Sequence, residues 1–123
     1  MMSDPIETLM LANLLGVFNE RDGAKRRAAV ERTYAEDVRW VDAEGVTVGR
    51  AALEQKCVAL QENLGESQFV AATPVRTLPG FGHLAWHLVD PGTGAQLMSG
   101  FDAALINDEG SITDMFTVLT PPA

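Results

Sequence analysis

Apolar residues recur at helical spacing in the first half of the chain. From Pro5 to Glu20 they stand three and four positions apart, and a shorter run of the same kind extends from Ala24 to Tyr34. A third run opens at Gly49-Arg50-Ala51-Ala52-Leu53 and closes at Gly65, which is placed as a C-terminal helix cap. The pattern therefore predicts three helices.

Segments rich in β-branched and aromatic residues predict the strands. The first runs from Asp37 to Asp42 and is closed by the turn Ala43-Glu44-Gly45. Turn signals rich in Gly, Pro, Asn and Asp separate the remaining predicted strands, which are Gln68 to Leu78, Gly82 to Val89, Gln96 to Ile106 and Ser111 to Leu119. The order α-α-β-α-β-β-β-β favours an α+β fold in which helices pack on one face of an antiparallel sheet.

Length and composition limit the class of protein. A chain of 123 residues suits one domain, here residues 1–123, and 46% hydrophobic with 21% charged residues is a globular composition. No apolar run is long enough to cross a bilayer, so we expect a soluble protein with no membrane partner. The first residues show neither a signal peptide nor a transit peptide, and we predict a cytoplasmic location.

Charge and motif spacing exclude several kinds of chemistry. A formal charge of −8 would repel phosphate backbones, so we expect no nucleic-acid partner. No phosphate-binding loop is present, and His83 and His87 have no third residue at metal-ligand spacing, so we expect neither a cofactor nor a metal. Cys57 stands inside the third helical run and is interpreted as a buried structural thiol.

Three stretches of the chain resemble a known superfamily. They are Tyr34-Ala35-Glu36-Asp37-Val38-Arg39-Trp40-Val41-Asp42, then Gly49-Arg50-Ala51-Ala52-Leu53, then Gly100-Phe101-Asp102 through Asp108-Glu109-Gly110-Ser111-Ile112. Together with the element order, they are similar to the SnoaL-like and ketosteroid-isomerase-like branches of the nuclear transport factor two-like superfamily. The resemblance implies a cone-shaped barrel, in which a strongly curved antiparallel sheet is wrapped by three N-terminal helices.

The resemblance also implies a small-molecule site. Similar proteins hold a small hydrophobic ligand in the cone and commonly form a homodimer through the outer face of the sheet. By position in the motif, Asp42 corresponds to a general base that moves a proton next to a carbonyl. Asp102 corresponds to a protonated aspartic acid that donates a hydrogen bond to the enolate oxygen. A tyrosine on the first helix completes that site in similar proteins, and Leu14 stands at its place here, so Tyr34 or Trp40 is a possible substitute.

The residues themselves leave two interpretations of Asp42. It follows Trp40 by two positions, so both side chains point inward if the strand continues, and an apolar cavity would raise the pKa of the carboxyl. Alternatively, Asp42 precedes Ala43-Glu44-Gly45 and bonds the backbone of that turn.

Asp102 lies within an otherwise apolar or small segment, Leu97 to Ile106, where an unpaired carboxylate is costly to bury. An inward Asp102 is therefore a site candidate. The alternative is a structural aspartate that forms an ion pair with an arginine such as Arg39 or Arg76, or that caps backbone groups.

Two functions remain open at this stage. The first is a cofactor-independent isomerase, cyclase or epoxide hydrolase that uses Asp42 and Asp102 on a small hydrophobic substrate. The second is a ligand-binding or structural domain of the same fold that performs no chemistry. In either case we expect the ligand-binding residues to be Leu14, Tyr34, Trp40, Trp86, Met98 and Met115. His87 shares a strand face with His83, opposite Leu84 and Trp86, which places it on the outer side of the sheet unless the faces are reversed.

Overall fold

The computed structural model describes residues 5–120. Helix α1 spans Pro5–Leu11 and continues directly into a π-helical segment, Ala12–Phe18. Helix α2 spans Gly23–Thr33 and helix α3 spans Arg50–Leu64. In this part of the chain, no helix combines the length and the apolar character that a membrane crossing needs.

The strands form one mixed sheet. They are β1 Tyr34–Asp42, β2 Gly45–Val48, β3 Gln68–Ala71, β4 Arg76–Leu78, β5 Phe81–Val89, β6 Gln96–Ile106 and β7 Ile112–Thr120. The spatial order is β2-β1-β7-β6-β5-β3, with β4 also paired to β5. The sheet is curved and open, because β2 and β3 end the order without pairing to each other. The predicted α+β class is confirmed.

One strand pair departs from the predicted antiparallel sheet. β1 pairs with β7 in parallel, with Trp40 opposite Met115, whereas the other pairs are antiparallel. Parallel strands require a long connection, and here α3 and the five strands β2 to β6 lie between the two in the chain. The sequence pattern of single strands carries no information about this distant pairing.

Several predicted boundaries were wrong for local reasons. The predicted strand from Gln68 to Leu78 is two strands, β3 and β4, because Pro74 lacks the N–H that a continuous ladder would use. The segment after the predicted turn forms β2, which pairs with the end of β1 as a hairpin. Tyr34, predicted as the end of a helix, is the first residue of β1.

The helices pack their apolar faces on the concave side of the sheet. The buried face of α1 and the π-helical segment consists of Met10, Asn13, Leu14, Val17 and Phe18, at steps of three and one. Met10 lies against β5 at Gly82, where an added Cβ would stand 2.7 Å from Met10 Cγ. The absence of a side chain at Gly82 thus lets α1 approach the sheet closely.

Candidate active site

A cavity of about 740 Å³ lies between the helices and the concave face of the sheet. Most of its lining is apolar, and the wall includes Leu14, Phe18, Trp40, Leu60, Phe69, Trp86 and Met98. Its charged lining residues are Asp42, Glu44, Lys56 and Asp102. The composition suits a small organic ligand whose polar atoms are few and specifically placed.

Four aromatic rings form a continuous wall. Phe18 lies 4.9 Å from Trp40 between ring centroids, and its edge meets Phe69 at 6.2 Å. Phe69 in turn meets Trp86 edge to face at 5.0 Å. These contacts join rings from the π-helical segment and three different strands, and each adds to the stability of this wall beyond its buried area.

Asp102 is the buried polar centre of the site. It is 3% exposed and lines the cavity from β6. Its Oδ1 accepts hydrogen bonds from Thr117 Oγ1 at 2.8 Å and from Trp86 Nε1 at 3.2 Å. Its Oδ2 accepts one from Asn13 Nδ2 at 3.0 Å. All three partners can donate, which is the arrangement that an ionised carboxylate requires.

Burial raises the pKa of Asp102 from 3.8 to about 6, although the hydrogen bonds from Thr117, Trp86 and Asn13 oppose this effect by stabilising the charged form. Within residues 5–120, no cationic side chain pairs with Asp102, since the ion pairs are Arg26–Glu54, Arg39–Asp114 and Lys56–Asp42. The alternative of an ion pair with Arg39 or Arg76 is therefore wrong. Asp102 is held by neutral donors.

Gly100 explains how the indole of Trp86 reaches Asp102. Trp86 on β5 pairs in register with Gly100 on β6, and an added Cβ at Gly100 would lie 2.6 Å from Cζ2 of the indole. The ring therefore lies across β6 where any other residue would project a side chain. This position brings Nε1 to the carboxylate two residues further along the strand.

Asn13 reaches Asp102 from the π-helical segment. This segment has the wider hydrogen-bond spacing of a π-helix, with Asn19 N donating to Leu14 O at 3.2 Å. Asn13 is fully buried, and its Oδ1 accepts a hydrogen bond from the phenol of Tyr34. Asn13 thus connects the first residue of β1 with the carboxylate on β6.

Asp42 lies at a more exposed level of the same cavity. Its Oδ2 forms an ion pair with Lys56 from α3, and the two side chains are 16% and 26% exposed. Its Oδ1 accepts from the backbone N–H of Glu44 at 2.9 Å. Asp42 therefore lines the cavity and also bonds the turn, so the two interpretations of this residue are compatible.

The structure brings most of the predicted site residues together. Leu14, Trp40, Trp86 and Met98 line the cavity with both aspartates. Two of the expected ligand-binding residues, Tyr34 and Met115, are fully buried and do not line it. Tyr34 belongs to a layer behind the cavity wall, and Met115 packs in the core.

The two histidines lie outside the cavity, on the outer side of the sheet. They alternate along β5 with the buried residues Leu84, Trp86 and Leu88. The ring of His83 lies 5.1 Å from that of Phe101, and His87 Nδ1 is 2.7 Å from Ser99 Oγ. Among the residues that the structure describes, no three His, Cys, Asp or Glu side chains form a group that could hold a metal ion.

Sequence reasoning missed Asn13, Thr117 and Lys56. Asn13 carried a signal, since it is a polar residue within a helical stripe of apolar residues. Thr117 becomes recognisable only through its register, directly opposite Asp102. Lys56 carried no signal, because a lysine on a helix is ordinarily a solvated surface residue.

Comparison with known proteins supports the fold. No family model and no curated protein matches the sequence. A candidate isomerase of the SnoaL-like family from Agrobacterium tumefaciens is similar in structure, with a TM-score of 0.88 and 26% identity over 95% of this chain and 98% of that one.

Two further solved structures show the same fold at lower identity. A candidate SnoaL-like polyketide cyclase from Jannaschia sp. has a TM-score of 0.72 at 17% identity, covering 97% of this chain and 90% of that one. TerC, crystallised with polyporic acid, has a TM-score of 0.71 at 17% identity, covering 95% and 92%. These similarities show that the chain has the fold of SnoaL-like proteins, in agreement with the resemblance seen in its sequence.

Proposed function

We propose that this protein is a cofactor-independent acid–base enzyme of the isomerase or cyclase type, acting on a small hydrophobic carbonyl compound. The observation that carries the proposal is Asp102, a carboxylate that is 3% exposed, held by three donors and positioned on the wall of an apolar cavity. Burying such a group is costly, and a buried carboxyl with a raised pKa in a cleft is a candidate functional group.

Asp102 serves as the general base in this proposal. With a pKa of about 6 it is mostly ionised at neutral pH, yet it is more basic than an ordinary aspartate. Oδ1 already accepts two hydrogen bonds, whereas Oδ2 accepts one. A carboxylate oxygen has about two lone-pair sites, so Oδ2 keeps one for the proton of a substrate.

Asp42 and Lys56 have a supporting role. Because Asp42 is bonded to both Lys56 and the backbone of Glu44, we assign it to holding the ammonium group at the cavity. Lys56 is the cation among the cavity-lining residues described, and its charge would stabilise an enolate oxygen. This assignment differs from the roles that the resemblance implies, in which Asp42 is the base and Asp102 is protonated.

The chemical steps follow from these positions. Oδ2 of Asp102 takes a proton from the carbon next to a carbonyl, and the electron pair of that C–H bond moves to give an enolate whose oxygen lies near Lys56. In an isomerisation, the protonated Asp102 returns the proton to a different carbon. In a cyclisation, the enolate carbon attacks a second carbonyl to form a C–C bond, and Asp102 protonates the resulting alkoxide.

The wall of the cavity supports the proposed substrate class. Four aromatic rings favour a flat apolar ligand, and the similar proteins include a candidate isomerase, a candidate polyketide cyclase and a protein crystallised with polyporic acid. An enolisable aromatic or cyclic ketone would fit these features. The second candidate function is ligand binding without chemistry, which the largely apolar lining also favours.

Deuterium exchange separates the two functions without knowledge of the product. Enones and β-dicarbonyls are incubated with the protein in D₂O, and NMR follows deuterium entering the carbon next to the carbonyl. We expect enzyme-dependent exchange that Asp102→Asn abolishes and the exposed control Asp108→Asn retains. Saturable binding of these compounds with no exchange would support the binding function and reject the enzyme.

A further inference from the structure

Tyr34 lies directly behind the site without lining the cavity. Its side chain is fully buried at the start of β1, and its backbone carbonyl oxygen accepts hydrogen bonds from Arg50 Nε and Nη2 at 3.0 and 2.8 Å. The phenol donates to Asn13 Oδ1. Tyr34 is therefore held at both ends: Arg50 bonds its backbone carbonyl, and the amide of Asn13, which contacts Asp102, bonds its phenol.

We propose that Tyr34 is a positioning residue of the site: its phenol holds the amide of Asn13 so that Nδ2 donates to Oδ2 of Asp102, the carboxylate oxygen that reacts. The inference rests on the proposed function, because it concerns the same base.

The two ends of an amide explain why the phenol matters. A carboxamide presents an acceptor oxygen on one side and a donor NH₂ on the other. With the phenol donating to Oδ1 of Asn13, Nδ2 is left facing Asp102, and both contacts are favourable. The reversed amide would place its oxygen against the carboxylate, acceptor against acceptor.

The phenol is well suited to remain a donor. Burial, followed by the nearby charge of Asp102 and then of Cys57, raises the pKa of Tyr34 well above its usual range. The hydroxyl therefore keeps its proton throughout the range in which Asp102 titrates. The bond from Tyr34 polarises the amide, and a polarised N–H is a stronger donor to the carboxylate.

The effect is directed at one oxygen of Asp102. Trp86 and Thr117 both bond Oδ1, whereas Asn13 bonds Oδ2. Tyr34 thus acts on the oxygen that has a free lone-pair site. The other ionisable residues that line the cavity are Asp42, Glu44 and Lys56, while His83 and His87 lie on the opposite side of β5.

The chain contains one tyrosine, which makes a near-isosteric test possible. Biosynthetic replacement of tyrosine by 3-fluorotyrosine labels Tyr34 alone and makes the phenol a stronger hydrogen-bond donor. We expect the ¹⁹F resonance to move with pH at the midpoint of the Asp102 carboxyl, measured by ¹³C NMR in the same sample. Asp102→Asn should abolish this movement, and the acid dissociation constant of Asp102 should be larger than in unlabelled protein.

Tyr34→Phe changes the same contact in the opposite direction. The acid dissociation constant of Asp102 should fall roughly twofold to fourfold, the size expected when one member of a hydrogen-bond chain is lost. The pH midpoint of substrate deuterium exchange should rise by the logarithm of this factor, while KM stays unchanged because Tyr34 does not touch the cavity. Thr113→Val removes a hydroxyl that bonds Leu105 and Asp114 instead, and serves as the control.

The outcomes are distinguishable. Opposite displacements of the Asp102 titration in the fluorinated and Phe proteins support the proposal, and they require no substrate. If neither change moves the titration beyond the Thr113→Val control, Tyr34 has only a packing role and the proposal is rejected. If the titration moves but no compound exchanges deuterium, the positioning role stands and the enzymatic function fails. The fluorinated protein also decides the question if Tyr34→Phe does not fold.

Discussion

Asn13 and Asp102 lie 89 residues apart in the chain, and their side chains meet at 3.0 Å in the interior. One lies in a π-helical segment and the other on β6, so the contact forms only when the first helical region packs on the sheet. The carboxylate is therefore solvated by the protein itself, through donors that folding delivers from three separate elements. This arrangement makes its ionisation sensitive to the fold and to single substitutions.

The raised pKa of Asp102 should make stability depend on pH. Between about pH 4 and 6 the folded state retains a proton that the unfolded state has released, so the free energy of unfolding falls as pH rises through this window. The loss due to Asp102 should approach about 3 kcal/mol above pH 6. Urea unfolding across pH 4–8 should show a smaller decline in Asp102→Asn than in the wild type. Parallel curves for the two proteins would contradict the buried ionisation.

Activity should rise with pH as Asp102 ionises, whereas stability falls. Since the carboxylate is the proposed base, kcat/KM for deuterium exchange should rise tenfold per pH unit below the midpoint and level off above about pH 6. Asn13→Leu removes the donor to Oδ2 and should lower the acid dissociation constant of Asp102 by about tenfold, moving the midpoint upward. A profile that is flat between pH 5 and 8 would exclude Asp102 as the base.

Lys56→Met should separate the role of the ammonium group from that of the base. The chain has two lysines, Lys56 at the cavity and Lys25 on the exposed side of α2, so Lys25→Met is a matched control. Removing a preorganised charge at a developing oxyanion commonly costs about a hundredfold in kcat. We expect a loss of this order for Lys56→Met only, measured by exchange at saturating substrate. Equal rates in the two variants would show that the enolate oxygen lies elsewhere.

Gly100→Ala should displace Trp86 and weaken the fold. The added Cβ would lie 2.6 Å from both Cζ2 of Trp86 and the backbone oxygen of Val118, and the latter belongs to the neighbouring strand and cannot rotate away. We expect a loss of about 1–3 kcal/mol in unfolding free energy, typical of overpacking, with altered tryptophan fluorescence. Gly16→Ala is the control, since its nearest neighbour would be Ala29 Cβ at 3.9 Å, and it should be neutral or stabilising.

We also expect a homodimer through the outer face of the sheet. Leu105 on β6 is 45% exposed, and Phe101 and Phe116 lie on the same side. Leu105→Glu should raise the dimer dissociation constant in sedimentation experiments. Val46→Glu, at a residue 54% exposed on the hairpin strand β2, should leave it unchanged. A wild-type protein that sediments as a monomer at tens of micromolar, a concentration at which standard interfaces associate, would reject the dimer.

The sequence predicts Asp102 well and its surroundings poorly, for physical reasons. A carboxylate inside an apolar strand violates local preference, so it stands out without any knowledge of the fold. Thr117 satisfies the preferences of a strand and becomes important only through cross-strand register. The roles of Asp42 depend on Lys56, which α3 brings to the cavity from another part of the chain. Spacing along one segment cannot specify such contacts.

The helices and strands were likewise predictable only where a local pattern marks them. The helices and the long strands β5, β6 and β7 follow from periodicity, since one face of each is buried. The short strand β2 is exposed along most of its length, and the alternation Val46-Thr47-Val48 is too short to predict it. The π-helical segment also escapes prediction, because it obeys nearly the same spacing as an α-helix.

The parallel pairing of β1 with β7 has a consequence for synthesis on the ribosome. Tyr34 pairs with Ile112 and Val41 with Phe116, so β1 leaves the ribosome long before its partner strand β7 has been synthesised. Until β7 has been synthesised, the nascent chain exposes the edges of β1 and β6 with which β7 later pairs. The sheet can therefore be completed only after β7 has been synthesised, and a stalled chain that lacks β7 would be a substrate for chaperones.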